Sequence, residues 1–495
     1  MPESKSSLNI AVVIFVALGS LSFGYAASII STTLAQPSFI AYFELDSRSN
    51  TPAIEGAMNG LYTAGGLFGS VSAWPLSQRL GRRWAIFIAA ITSVIGGGLQ
   101  AGSVDLTMFI LMRFVTGLGV GATLMLVPLY QSEVSPPHSR GLLVGIHGLT
   151  ITVGYTSSTW IGLAFYFVNA SGAQWRIPLA IQALPPLLLA FGILYLPETP
   201  RWLISQDRRD EALAIVQRLH ADKNGDNSFA LREFKQIESQ FEIDNAKHVS
   251  YKDMLIKRSY RKRAIIGFAV MFAPQTTGTT VINNYGPLLY GTLGYGTVDQ
   301  LLFTCGWITL ALFGNTFNAF TLDHVGRVRA LKIGLGGCIL ALIGECVAFS
   351  TFEKDPNNRS AAIASVVFLF LHIFAFSFNV DATSYVYISE IFPTHIRSQG
   401  MAISVSGYFL SLLIYLEAAP TAFKNIGWKY YLVFLSGTTC FLIFIHIYCP
   451  ETKGLSLEEI NKLFGDQVTD VSITEHNETT TSNMKKGTFD TKLVP

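Results

Sequence analysis

Twelve stretches of mostly apolar residues, each close to the length a bilayer demands, leave this chain few ways to fold. A membrane-spanning helix needs about 20 apolar residues. Windows of that kind lie at 9–31, 55–77, 84–102, 107–130, 141–167 and 177–196, and again at 264–290, 299–321, 330–350, 361–388, 400–420 and 430–449. A polar run from Pro197 to Arg263 separates the two sets of six. Backbone N–H and C=O groups inside lipid must be satisfied within the segment, so such stretches are helices. The expected fold class is therefore all-α integral membrane, with twelve transmembrane helices. Only 14% of the 495 residues are charged, against about a quarter in soluble domains. The second window is the weakest of the twelve, because Asn59, Gly60, Gly65, Gly66 and Gly69 dilute it. Small residues are also what closely packed membrane helices use.

Short motifs recur on the two sides of the polar run. SEVSPPHSRG at Ser132 returns as SEIFPTHIRSQG at Ser389, 257 residues later. Gly81-Arg82-Arg83 matches Gly326-Arg327-Val328-Arg329 at an offset of 245, and Pro197-Glu198-Thr199 matches Pro450-Glu451-Thr452 at 253. Three pairs near one offset mean a duplicated six-helix unit, an arrangement common in secondary transporters. The resulting division is an N-terminus at 1–8, a six-helix bundle at 9–196, a linker with short helices at 197–263, a second bundle at 264–449 and a tail at 450–495. Beyond a short helix at 456–464 the tail is expected to be disordered.

Lys and Arg collect in alternate loops, including fourteen between Arg201 and Arg263. The bias places both termini and the linker in the cytoplasm. The sequons at Asn169 and Asn358 then lie outside as glycosylation candidates, and the one at Asn477 lies in the tail. All five cysteines sit in apolar segments with no metal-ligand spacing, which suits packing thiols. Net charge is only +2, so nothing favours a nucleic-acid partner. No phosphate loop, metal cluster or nucleophile motif points to an enzyme, a cofactor or a metal. The transport unit is expected to be a monomer in the lipid bilayer.

Six motifs in register, LGRR at 80–83, RFVTGLGVG at 113–121, PETPRWL at 197–203, QTTG at 275–278, SEIFP at 389–393 and PETKG at 450–454, resemble the sugar porter family of the major facilitator superfamily over about residues 10–465. The resemblance implies alternating access, with a substrate site between the bundles near the midplane and a plasma-membrane location.

Helix seven carries the richest polar run, with Gln275, Thr276, Thr277, Thr279, Thr280, Asn283, Asn284 and Tyr285. Uncharged donors and acceptors of this kind suit a polyhydroxylated ligand. Interhelical hydrogen bonding is the competing use. Spacing by four gives Gln275, Thr279 and Asn283 one helical face, while Pro274 and Gly278 loosen the helix. The family pattern is kept only in part. Gln275 stands for its second Gln, Pro274 replaces the first, Thr280 replaces its Asn, and Asn284 with Tyr285 stands for its Tyr pair. Gly148, beside His147, takes the place of a sugar-contacting Gln, while Tyr385 and Tyr408 take the places of two Trp residues.

The resemblance also bears on coupling. Proton-coupled members carry an Asp after F-G-Y on helix one, facing an Arg on helix four. Here Ala26 fills that position while Arg113 remains, which leaves Arg113 to helix carbonyls and favours uniport over proton symport. Asp381 on helix ten has three readings: a displaced proton site, a substrate ligand, or a structural partner. Glu345 and Glu417 are expected to be solvated near the outer surface. His147 is a cavity hydrogen bonder or a proton carrier. Near the cytoplasmic surface, Glu133, Glu198, Glu390 and Glu451 are placed to pair with Arg82, Arg83, Arg140, Arg327 and Arg397. Two readings stand side by side, a latch that closes this side and simple anchoring by positive charge. Gln78 replaces the family's Asp whereas Asp323 is kept, so any relay is lopsided.

The expected function is transport of a monosaccharide or related polyol. The alternatives are transport of another small metabolite, export included, and a non-transporting receptor.

Overall fold

A computed structural model describes residues 7–135, 140–168, 170, 172–220, 228–246, 254, 256–393, 396–455 and 457–465. Twelve spans run through it. Span 1 is Ser7–Val16 with Leu18–Leu34, span 2 Thr51–Leu80, span 3 Arg82–Ala101, span 4 Leu106–Val134, span 5 Arg140–Tyr166, and span 6 Ala173–Ile181 with Leu184–Ile193. Span 7 is Arg258–Thr276 with Thr279–Thr292, span 8 Thr297–Val325, span 9 Arg327–Lys354, span 10 Arg359–Asn379 with Asp381–Ile391, span 11 Arg397–Ile426 and span 12 Tyr430–Tyr448. An even number of crossings returns the chain to the side it left, here called the terminus side, opposite the far side.

Each expected window has its helix, extended by a turn or so where capping residues and interfacial arginines continue the ladder. By length and apolarity alone nine stretches qualify among the described residues, one of which, Gln399–Tyr448, holds two spans. Span 5 is not among them, and neither is span 2. Its glycines explain why it packs nonetheless. A Cβ on Gly65 would lie 2.2 Å from the Phe114 carbonyl oxygen, and one on Gly69 would lie 2.1 Å from that of Leu118. Gly117 of span 4 approaches the Tyr62 carbonyl in the same way, at 2.1 Å. Two backbones thus touch with nothing between them, which is how apolar solvent lets helices associate.

The linker forms helices at Pro200–Ser205, Arg209–His220 and Ser228–Ala246, joined by a small core of Leu203, Ile204, Ala212, Val216, Ala230 and Phe234. After span 12 a short helix, Leu457–Leu463, returns toward span 7, where Arg263 donates to Asn461 Oδ1 at 3.1 Å and lies over the Phe464 ring. The tail from 466 lies outside the described residues, as do Asn169 and Asn477.

Candidate functional site

Span 7 is broken where the polar run is densest. Gly278 has φ +79°, a left-handed conformation that only glycine adopts without strain, and the helix restarts at Thr279. The break corrects the expectation of one face for Gln275, Thr279 and Asn283. Thr280 Oγ1 donates to Gln275 Oε1, and Asn284 Nδ2 to the Thr280 carbonyl at 2.9 Å, so Gln275, Thr280 and Asn284 form the linked run. Thr279 turns to Thr277, hydroxyl to hydroxyl at 2.7 Å. Asn283 accepts from Ser28 of span 1 at 3.3 Å. Tyr285 is 1% exposed and its hydroxyl is occupied by protein: it accepts from Asn59 Nδ2 at 2.9 Å and lies 3.0 Å from the Leu416 carbonyl and 3.2 Å from that of Glu55. In this conformation Tyr285 and Asn283 are part of a closure between the first six and the last six spans.

That closure lies toward the far side. Besides Ser28–Asn283 and Asn59–Tyr285, Trp160 Nε1 of span 5 donates to Thr309 of span 8 at 3.1 Å. Leu163, Leu301 and Cys305 pack together with Ala35 and Tyr166 beyond it. Nearer the middle, Asn315 of span 8 reaches both Thr152 of span 5, at 3.2 Å, and Asp381 Oδ2, at 2.8 Å. Asp381 and Tyr385 are both partly exposed. Tyr408, 6% exposed, sets its ring edge-on to Phe409, and Tyr155 of span 5 packs against the same cluster. Thr152, Tyr155 and Gly148 follow helical spacing on span 5. A Cβ on Gly148 would meet nothing within 4 Å. His147, one residue back, points away from that face and lies 2.6 Å from Ser20 of span 1 through Nδ1.

Arg113 is fully buried, and the position opposite it is supplied by backbone. Nη1 donates to the carbonyl of Ala26 at 3.1 Å. Nε donates to the Met58 carbonyl at 3.2 Å and Nη2 to Asn59 Oδ1 at 3.4 Å. The guanidinium sits 4.2 Å over the Tyr62 ring, a cation–π contact that suits a desolvated charge. Glu417 is exposed, as expected. Glu345 is not: it is 1% exposed and accepts from Ser365 Oγ. Span 9 continues nine residues beyond it to Lys354, which carries Glu345 about 13 Å below the helix end.

On the terminus side the repeated motifs become a single device used twice. Spans 3 and 9 begin after Gly81 and Gly326, at φ +90° and +99°, and neither glycine has a side chain to cap the exposed N–H groups. Glu198 does it for span 3, accepting from the backbone of Arg82 at 3.0 Å and Arg83 at 3.1 Å. Glu451 does it for span 9, accepting from Arg327 at 2.8 Å, Val328 at 3.1 Å and Arg329 at 3.2 Å. The two carboxylates thus take the arginines' backbones rather than their guanidinium groups. A Cβ on Gly81 would lie 2.3 Å from Glu198 Oε2, so glycine supplies room as well as conformation.

The guanidinium groups pair elsewhere. Arg82 meets Glu133 at 3.0 Å, with both side chains more than nine-tenths buried, and Arg327 meets Glu390 at 2.8 Å in a more open setting. Glu390 also accepts from Thr452 Oγ1 at 2.6 Å. Arg83 donates to the Leu196 carbonyl at 3.5 Å and Arg397 to that of Phe392 at 3.3 Å. Each of these ion pairs lies within one set of six spans, and among the described residues no ion pair crosses between the sets. The side chains of Arg140 and Asp323 lie outside the described residues. Burial raises the Glu198 carboxyl above its ordinary range, against the N–H groups of Thr199, Arg83 and Arg82 and the Arg82 charge. Burial also pushes Glu451 up, but N–H donors from Arg329, Arg327, Val328 and Lys453 outweigh it and hold that carboxyl low. Asn358, at the far side, caps span 10 by accepting from Ala361 N at 3.1 Å.

Sequence reasoning missed Asn315, Tyr155, Ser28 and the role of Asn59. A signal existed, since a polar side chain within a span usually has a partner.

The sequence matches the Sugar (and other) transporter family over residues 12–464. It is 34% identical over 467 residues to the MFS-type transporter criB of Aspergillus cristatus, covering 94% of this chain and 95% of that protein. To the high-affinity fructose transporter ght6 of Schizosaccharomyces pombe it is 31% identical, covering 92% and 87% respectively. The quinate permease of Emericella nidulans is 29% identical, covering 94% and 90%. Among solved structures, the partially occluded inward-open xylose transporter XylE of E. coli superposes with a TM-score of 0.77 at 24% identity, over 91% of this chain and all of that one. With twelve spans, a broken seventh helix and duplicated capping motifs matched along nearly its whole length, the chain belongs to the sugar porter family of the major facilitator superfamily and is a membrane transporter rather than an enzyme.

Proposed function

We propose that the chain carries a neutral polyhydroxylated molecule, a monosaccharide or related polyol, by alternating access as a uniporter. The observation that carries this reading is the break in span 7, where Gln275, Thr280 and Asn284 present uncharged donors and acceptors at a joint between the two sets of spans. Such groups bind hydroxyls without demanding charge. Tyr385, Tyr408 and Asp381 complete the site from spans 10 and 11. His147 supports span 1 from behind it. The segments 9–196 and 264–449 rock as units about it, with the linker and both termini cytoplasmic in the plasma membrane and Asn169 and Asn358 outside. The buried pair Arg82–Glu133 and the more open pair Arg327–Glu390 hold each unit's terminus-side end, with Arg83, Arg140 and Arg397 beside them. Uniport rests on Ala26, which leaves Arg113 facing a carbonyl where a proton-loading acid would stand.

A second reading, a bulkier metabolite, draws on Gly148, whose open surroundings leave room in the face of span 5. Proteoliposome uptake of labelled hexoses, pentoses, polyols and quinate, with and without an imposed pH gradient, tests both. Hexose or polyol equilibration unaffected by the gradient is the expected result. Gradient-driven accumulation that Asp381→Asn abolishes, with exchange retained, would show that uniport is wrong.

A further inference from the structure

The buried arginine and the far-side closure are joined by a hydrogen-bond chain with only one workable direction. Arg113 has donors alone. One N–H goes to the Ala26 carbonyl and one to the Met58 carbonyl, and an N–H on Nη2 requires an acceptor from Asn59. The amide orientation follows: its oxygen faces Arg113 and its nitrogen faces Tyr285, donating at 2.9 Å. With its oxygen occupied as an acceptor, the phenol directs its own proton to a carbonyl, that of Leu416 at 3.0 Å or Glu55 at 3.2 Å. Guanidinium, amide, phenol and carbonyl thus pass from span 4 to span 2, to the outer half of span 7, and on to span 11. Every member is buried: Arg113 at 0%, Asn59 and Tyr285 at 1% and Leu416 at 2% exposure.

We propose that Asn59 is the positioning residue of the far-side gate: it transmits the fixed orientation of Arg113 to Tyr285 and thereby fastens span 7 between spans 2 and 11. This rests on the alternating-access reading above, and it assigns work to a charge that the absence of an acid at residue 26 would otherwise leave idle. An Asp at this position, ionised beside Arg113, accepts but does not donate. Tyr285 would then turn its proton to the carboxylate and release span 11.

The test uses Cys305, which is fully buried in the far-side contact against Leu163 and Leu301. Purified protein in lipid nanodiscs, with no substrate added, is treated with a hydrophilic maleimide, and modification of Cys305 is followed by mass spectrometry. Asn59→Ala and Tyr285→Phe should each label about fivefold faster than wild type, the scale of one buried hydrogen bond, and Asn59→Asp should do the same. Because the two residues serve one chain, the double variant Asn59→Ala/Tyr285→Phe should be no faster than the faster single. Thr309→Val, which removes the separate Trp160 contact, should multiply with either. Tyr285→Phe keeps the ring and its packing, and a melting curve for each variant separates misfolding from gate opening. Wild-type labelling in Tyr285→Phe or Asn59→Ala, or a double variant equal to the product of the singles, overturns the proposal. Failure of the sugar reading would appear separately, as absent uptake by a protein that labels as described.

Discussion

A glutamate can hold a helix end far from it in sequence, and the two that do so here differ in a measurable way. Glu451 is held low, so its contribution is present above the ordinary carboxylate range and is lost as pH falls through its depressed value. Glu198 is raised, so the fold favours its protonated form and that contribution is lost as pH rises through the elevated value. Melting temperatures across pH 4 to 8 check this. The margin of wild type over Glu451→Gln should shrink toward acid, while the margin over Glu198→Gln should widen. Parallel curves for the two variants would contradict the assignment. The motifs themselves were legible: G-R and P-E-T were read as a repeated pair. Their joint use was not, because Glu198 and Arg83 stand 115 positions apart and a carboxylate near arginines suggests guanidinium pairing first.

At the scale of helices, hydropathy located every span, and it was least informative where packing is tightest. The glycines that weaken span 2 as an apolar window are the ones that let spans 2 and 4 touch. Gly117→Val should therefore prevent a stable fold, because its Cβ would lie 2.1 Å from the Tyr62 carbonyl and no rotamer relieves a backbone clash. Gly148→Ala, with nothing within 4 Å, should melt within a degree or two of wild type. Size-exclusion profiles and melting curves of the pair test the contrast. Span 7 shows the opposite limit. Periodicity assumes an unbroken helix, and Gly278 interrupts it, so Thr279 and Asn283 left the face that spacing had given them while Thr280 and Asn284 joined it. Glu345 was misplaced for a simpler reason: the end of span 9 lies beyond Phe352 in a stretch, Glu353-Lys354, too polar to look like helix in a membrane.

For the whole molecule, the proposed alternating access makes the far-side contacts one end state of the cycle. Linking Ser28→Cys to Asn283→Cys, whose native side chains lie 3.3 Å apart, should stop transport, and reduction should restore it. Transport that continues after complete cross-linking would show that spans 1 and 7 need not part. The capping device has a further consequence, for how the protein is made. Span 3 enters the membrane with its first N–H groups open, and the carboxylate that closes them emerges only after span 6. Span 9 waits in the same way for Glu451, 123 residues beyond Val328. Each set of six therefore stays unfinished at its terminus-side edge until its last helix has been synthesised, and a ribosome that stalls before Glu198 or Glu451 leaves that edge open.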